Sequence, residues 1–464
     1  MIQRHPDLQV IILAAGEGTR MRSHMPKVLH PVLGRTLLEH VLSGVEGLKP
    51  KRMTVVIGHG ADRVRVHIGQ PRGLDWVVQE QQLGTAHAVL QCEQACGDAT
   101  DVLVLCADTP LLRTETLDAL IQHHQDTRAA VTFLSARLDD PHGYGRVLRA
   151  EDGACLGIVE EKDASAAERQ ISEVNSGIYC VRRDLLFQLL HRVENANAQG
   201  EYYLPDIVPL ALADGHTVEV VEAEDTDEIA GVNDRVQLAA VEAAMQHRII
   251  RDWQLNGVTI EHPETVRIEA TVRIGMDTVI QAGCYLIGST DIGNECRIGP
   301  YAVLVDSWLD DGVDVFAFSH IHGANVGSNT RVGPFARIRP GAELDEQTRI
   351  GNFVEIKKSV IGRGSKVNHL TYIGDTLMGE NCNIGAGTIT CNYDGANKHR
   401  TTIGNRVFIG SDTKLVAPVR VEDDATIGAG SIITRDVRAG GLTLSARPEQ
   451  RHRPNWKRPS KKAR

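Results

Sequence analysis

Aromatic residues are scarce in this 464-residue chain, at 4%. No apolar run approaches the roughly 20 residues needed to cross a bilayer. The opening "MIQRHPDLQV" has no apolar core of the kind a secretory leader carries, so the sequence reads as a cytoplasmic protein that makes no use of a membrane. Zinc-type spacing is missing too: the nine cysteines lie scattered, without a C-x-x-C pair or a histidine placed beside one, and are expected as reduced thiols packed in the core. Nor is there an excess of positive charge. A formal net charge of −10 argues against nucleic acid as a partner. Only the tail "RHRPNWKRPSKKAR" is locally basic, either as a solvated end or as a cover for the phosphates of a ligand. Glycine, in contrast, is plentiful at 44 residues and suits a fold with many tight turns.

The length allows roughly two to four domains. In the first half, "QVIILAAG", "RMTVVIGHG", "DWVVQEQ", "DVLVLCADTPLL" and "AAVTFLSARL" are continuous apolar runs, as strands buried on both faces should be. Helix-compatible stretches separate them. The pattern predicts a parallel, Rossmann-like α/β sheet whose ligands sit beyond the carboxyl ends of the strands. In "NDRVQLAAVEAAMQHRIIRDWQLNG", Val241, Met245, Ile249 and Trp253 recur every four residues, with Asn233 or Asp234 to cap the start and Gly257 to end it. A linker helix over 233–256 is expected, joining a domain of residues 1–232 to one of residues 257–464.

Beyond that helix the period becomes six. Ile268, Ile274, Ile280, Leu286, Ile292, Ile298 and Leu304 form one series; Val326, Val332, Ile338, Leu344, Ile350 and Ile356 form another. Shorter series follow, and Ile403, Ile409, Leu415, Val421, Ile427 and Ile433 close the pattern. Neither a helix nor an ordinary sheet has this period, whereas a parallel β-helix built from hexapeptides does. His320 and His322 fall between two series, in what reads as a non-repeating break. The insertion "CNYDGANKHRT" must leave the coil as a loop.

"LAAGEGTRMRSHMPKVLH" comes at the end of the first strand. It matches neither G-x-x-x-x-G-K-[ST] nor G-x-G-x-x-G, since Met21 stands where the latter needs its third glycine. Its glycines still let backbone N–H groups approach a phosphate, and Arg20 and Lys27 add positive charge. Asp108 ends the run "DVLVLCAD", where a carboxylate would face the ligand crevice; a helix cap is the structural alternative.

These stretches, with "QLGTAHA", "GYGRV", "GVNDR" and the hexapeptide half, resemble the bacterial bifunctional N-acetylglucosamine-1-phosphate uridyltransferase / glucosamine-1-phosphate N-acetyltransferase family over the whole chain. The resemblance implies a nucleotidyltransferase domain followed by a left-handed β-helix, and a homotrimer. It implies acetylation of glucosamine 1-phosphate by acetyl-CoA, then reaction of N-acetylglucosamine 1-phosphate with UTP to give UDP-N-acetylglucosamine and pyrophosphate. By the same likeness Leu13, Ala14, Ala15, Gly16, Lys27, Gln79, Gly84, Thr85, Cys106 and Ala107 hold the nucleotide, while Gly145, Glu160 and Asn175 hold the sugar. Asp108 and Asn233 hold Mg²⁺.

In the coil, "RIRPGAEL", "NFVEIKKS", "GSKVNHLTYIGD" and "NIGAGTITCNYDG" carry the closest likeness. There Arg339, Lys357, Tyr372 and Asn383 would bind glucosamine 1-phosphate. Ala386, Asn392, Tyr393, Ser411, Ala429 and Arg447 would bind acetyl-CoA. His369 would be the general base, a task that suits an imidazole because it changes charge near neutral pH.

Two departures from the family pattern stand out. Cys106 and Ala107 replace its usual tyrosine and glycine, and Ala446 stands where it has an arginine: either Arg447, one position later, takes over its contact with the CoA phosphates, or CoA binds more weakly with the basic tail as compensation. A coil that acetylates a different amino sugar, or serves only as a trimerisation scaffold, is the alternative to the two-site reading. His369, Lys357 and the inserted loop argue against a pure scaffold, which needs none of them.

Overall fold

The computed structural model describes residues 2–446 and 450–456. Its contacts divide the chain into two compact units, Met1–Met245 and Gln246–Arg464.

The first unit is built on strands β1 (Leu8–Ala14), β2 (Arg52–Ile57), β3 (Leu74–Val78), β4 (Asp101–Cys106), β5 (Val131–Arg137), β6 (Arg146–Arg149), β7 (Cys155–Val159), β8 (Glu173–Arg182) and β9 (Val218–Glu222). Seven of them run across the sheet in the order β9-β5-β8-β4-β1-β2-β3, and the β6–β7 hairpin hangs from β8. Most of the continuous apolar runs are buried on both faces: Val10, Ile11 and Ile12 of β1 and Val102 to Leu105 of β4 have no exposed surface, whereas the edge strand β3 is only partly buried and ends on an exposed Val78. The sheet is mixed rather than wholly parallel. Strand β8 runs antiparallel to both β4 and β5, because the chain between β5 and β8 makes the antiparallel β6–β7 hairpin instead of a helical crossover.

Parallel pairing of β1 with β4 sets Leu13 beside Cys106, so both strands deliver their carboxyl ends to one crevice. Helix α1 (Thr85–Leu90) opens on Thr85, and helix α2 (Arg235–Leu255) starts two residues after Asn233. The start of α2 is capped by Asp234, whose Oδ1 accepts the N–H groups of Val236 and Gln237 at 2.9 Å each.

The second unit is the left-handed β-helix of hexapeptide repeats. Its short strands stack into three parallel sheets of 11, 10 and 9 strands. Three hexapeptides make one coil, so Ile280 pairs with Ile298 and Ile268 with Leu286. The inward aliphatic of each strand is withdrawn from water, with Ile268, Ile280, Leu286, Ile298 and Leu304 fully buried. Each such side chain contributes on the order of 1.5–3 kcal/mol.

The supposed break around His320 and His322 is a regular part of the coil. Leu309, Val315 and Ile321 continue the inward row, pairing with Ile292, Ile298 and Leu304. Turns of 17 residues replace 18-residue ones there, and losing one corner residue before Leu309 and another before Val326 was enough to break the six-residue count. The insertion does leave the coil as expected, between strands Ile389–Cys391 and Thr401–Ile403.

Candidate active sites

Three remote segments meet beyond the ends of β1 and β4. Lys27 Nζ hydrogen-bonds Asp108 Oδ2 and also reaches Asn233 Oδ1 at 3.2 Å. Arg20 donates to the same Asn233 oxygen at 3.0 Å. The loop backbone makes this possible: Gly18 is left-handed, and a Cβ there would lie 2.7 Å from Lys27 Cβ. A Cβ on Gly16 would meet nothing within 4 Å, which leaves that stretch of the loop open to a ligand. Leu13 accepts the N–H of Ala107 at 3.0 Å, and Asp108 that of Val232 at 2.9 Å, which ties the loop, the β4 end and the segment before α2 together.

Around α1 the same economy holds. Gly84 has φ +119°, and a Cβ there would strike the Tyr202 backbone at 2.4 Å. Thr85 Oγ1 accepts from Leu204 N–H at 2.9 Å. Gln79 is buried, its amide nitrogen held by Gly84 O at 3.1 Å and His87 Nδ1 at 2.9 Å.

Gly145, Glu160 and Asn175 form a second group. Asn175 N–H donates to Gly145 O at 2.9 Å. A Cβ on Gly145 would sit 3.1 Å from Glu160 Oε1, so this glycine gives the carboxyl its room. Burial raises the Glu160 pKa, reinforced by the charges of Asp206 and Asp163. Cys106 lies against Gly177, two residues beyond Asn175: a Cβ on that glycine would be 3.4 Å from its sulfur. Burial, then the neighbouring Asp108 charge, pushes the Cys106 thiol up to about 12, so it is neutral and unreactive.

In the coil one sheet presents a polar cluster. Arg339 Nη1 pairs with Glu355 Oε1 at 2.7 Å. Lys357 has its pKa lowered by Lys398 of the inserted loop, then by burial. Asn392 donates to Asp375 and, at 3.4 Å, to the Tyr372 hydroxyl. Tyr393 begins the protruding hairpin, its hydroxyl donating to Gly395 O at 2.6 Å.

A corner of the coil supplies the rest. Asn352, His369, Ala386, Ser411 and Ala429 form a single row, one coil apart. Each step is stitched by a backbone bond: Leu370 N to Asn352 O, Gly387 N to His369 O, Asp412 N to Ala386 O, and Gly430 N to Ser411 O. His369 Nδ1 lies 3.0 Å from Asn352 Oδ1. Asn383 does not join the Arg339–Lys357–Tyr372 cluster. It pairs with Lys366 and Phe408 on a different sheet. Arg447 lies outside the described residues.

Sequence reasoning missed Asn352, Glu355, Asp375 and Lys398. For the first, a signal existed: a residue one coil before His369 must stack on it, and 17 residues back stands Asn352.

Residues 10–174 match the family of MobA-like NTP transferase domains. Residues 271–306 and 400–435 match the bacterial transferase hexapeptide repeats. The chain is 47% identical over 454 residues to the bifunctional protein GlmU of Marinobacter nauticus, covering 98% of this chain and 99% of that protein. It is 50% identical over 456 residues to the GlmU of Alkalilimnicola ehrlichii, at 98% and 97% coverage. To the GlmU of Pelobacter propionicus it is 47% identical over 452 residues, at 97% and 98%.

Proposed function

The chain belongs to the GlmU family of bifunctional proteins, and from that premise we propose how its residues divide the two reactions of UDP-N-acetylglucosamine biosynthesis. One half is a nucleotidyltransferase and the other a hexapeptide acetyltransferase. The observation that carries the first assignment is the meeting of Lys27, Asp108 and Asn233. Lys27 places its ammonium against an oxygen of both Asp108 and Asn233, the position a hard cation would take between an all-oxygen donor pair. That fits a divalent metal held by one carboxylate and completed by substrate phosphates and water. We take it to be Mg²⁺. When bound, such an ion offsets charge on the reacting phosphates.

The remaining work falls to this chain's own groups. Lys27 exchanges carboxylate for phosphate, Arg20 adds a second positive charge, and the loop N–H groups from Leu13 to Gly16 hold the nucleotide. Gly145, Glu160 and Asn175 orient N-acetylglucosamine 1-phosphate so that its phosphate oxygen attacks the α-phosphorus of UTP in line with departing pyrophosphate.

For acetyl transfer, Arg339, Lys357 and Tyr372 hold glucosamine 1-phosphate, and the corner row lays out acetyl-CoA. The Asn352 carbonyl can only accept, so His369 carries its hydrogen on Nδ1 and keeps Nε2 as the base. The sugar amine attacks the thioester carbon, its proton passes to Nε2, and the carbon–sulfur bond breaks to release CoA.

A homotrimer completes this second site. Its support is the separation of the groups assigned to one substrate: Asn383 lies on a different sheet from the Arg339–Lys357–Tyr372 cluster. Stacked, exposed rings at Tyr301, Phe318, Phe335 and Phe353, with centroids 5.1 to 5.3 Å apart, add an apolar ladder of the kind a second copy covers.

The test is to supply glucosamine 1-phosphate, acetyl-CoA, UTP and Mg²⁺ and to identify products by mass spectrometry. UDP-N-acetylglucosamine and free CoA are expected. Asp108→Asn should stop at the acetylated sugar phosphate, and His369→Ala should release no CoA yet still convert added N-acetylglucosamine 1-phosphate. Loss of both activities in either variant would overturn the division of residues.

A further inference from the structure

Strand β8 is irregular where it passes the sugar group. Its pairing with β5 shifts between Asn175 and Tyr179, and Gly177 between them has φ +78°. The irregularity sets Asn175 and Tyr179 near each other. Tyr179 pairs across the sheet with Val104 and lies 5.9 Å, ring to ring, from Phe133. Only 1% of the residue is exposed.

Among the described residues its hydroxyl finds no hydrogen bond of ordinary geometry, although the Asn175 side chain is close enough to act on it as a hydrogen-bond partner. Burial first, then the Glu160 charge, raises its pKa, with Cys106 and Asp206 adding to the rise and Asn175 opposing it. Two of these neighbours, Glu160 and Asn175, are the residues assigned to the sugar. Asn175 Oδ1 is meanwhile taken by Gly177 N–H at 3.1 Å. A phenol buried without a full partner forfeits the hydrogen bonds that water would give it. A core position could avoid that loss with phenylalanine, as β5 does at Phe133. Cys106, whose side chain is small, stands beside it where the family pattern has a tyrosine.

We propose that Tyr179 is a positioning residue of the uridylyl-transfer site, its hydroxyl bonding Asn175 or Glu160 when N-acetylglucosamine 1-phosphate is bound and so setting the affinity for the sugar. This rests on the assignment of Asn175 and Glu160 to the sugar phosphate.

Tyr179→Phe removes one oxygen and keeps the ring. In the full-length enzyme, KM for N-acetylglucosamine 1-phosphate should rise roughly 3- to 12-fold, the equivalent of one lost hydrogen bond, with KM for UTP and the acetyl-transfer rate within twofold. With Asn175→Ala the double variant should lose less than the product of the two single effects. A hydroxyl that only packs predicts the reverse: unchanged KM and a higher melting temperature once it is removed. That result, a parallel rise in KM for UTP, or multiplicative effects in the double variant would overturn the proposal. If Asn175→Ala and Glu160→Gln both leave uridylyl transfer intact, the sugar-site assignment itself fails, and the inference with it.

Discussion

A histidine on the outside of a β-helix is one of many polar groups there, and what distinguishes His369 is the Asn352 amide one coil away. The contact orients the ring and, with the amide oxygen as acceptor, favours the tautomer that carries its hydrogen on Nδ1. Asn352→Ala should therefore lower the acetyl-transfer rate about 10- to 100-fold through misorientation alone, without changing uridylyl transfer. Asn352→Asp keeps an acceptor but adds a negative charge beside the imidazole, which favours the protonated ring. The acid limb of its pH–rate profile should move to higher pH relative to the parent, whereas a purely structural asparagine would shift neither limb. At this scale the sequence was readable where a residue's place follows from its own strand, as for Asp108 at the end of β4. It was unreadable where the partner is remote. Nothing local to Lys27 announces that its ammonium meets Asn233, 206 positions away.

Strands and coils were legible for the same reason that they are stable, since each repeats a simple burial rule. Continuous apolar runs gave β1, β2, β3, β4 and β5, and the six-residue period gave the coil. The direction of β8 was not legible, because it depends on whether a hairpin or a helix precedes it. Nor were the 17-residue turns, since one corner residue less in each leaves the inward row intact while spoiling the count. The hairpin region also holds a buried clamp. Glu173 of β8 receives Arg149 Nη2 and Nε at 2.6 and 2.7 Å and the Ser135 hydroxyl at 3.0 Å, joining three strands. These bonds, Arg149 first, hold the Glu173 carboxyl below its ordinary value against the opposing effect of burial. A carboxyl depressed in the folded state contributes its full stability above its unfolded value and loses it as pH falls through the folded one. Urea unfolding should show Glu173→Gln less stable than the parent by about 2–3 kcal/mol at pH 7. The gap should narrow below roughly pH 4.3, the ordinary glutamate range. A gap constant from pH 7 to pH 3 would mean that the clamp works by shape and not by charge.

The whole molecule carries two chemistries in two units that differ in what each can complete within one chain. In the first, Lys27, Asp108, Asn233 and the Gly145–Glu160–Asn175 group all lie in one compact unit, so the uridylyl-transfer site proposed above draws these groups from a single chain. In the coil, the cluster of Arg339, Glu355, Lys357 and Tyr372 lies on one sheet and Asn383 on another. A prism cannot turn two of its outer faces toward one small substrate, whereas prisms packed side by side can set one face opposite a different face of the neighbour. Arg339→Ala and Asn383→Ala should each abolish most acetyl transfer as homo-oligomers. Mixed by co-expression or by dissociation and reassembly, they should recover a fraction of it, because some interfaces then pair an intact Arg339 face with an intact Asn383 face. Uridylyl transfer should stay at its parental level in both variants and in the mixture. A mixture that stays as inactive in acetyl transfer as its components would show that one chain holds the whole acetyl-transfer site, and the apolar ladder at Tyr301, Phe318, Phe335 and Phe353 would then need another explanation.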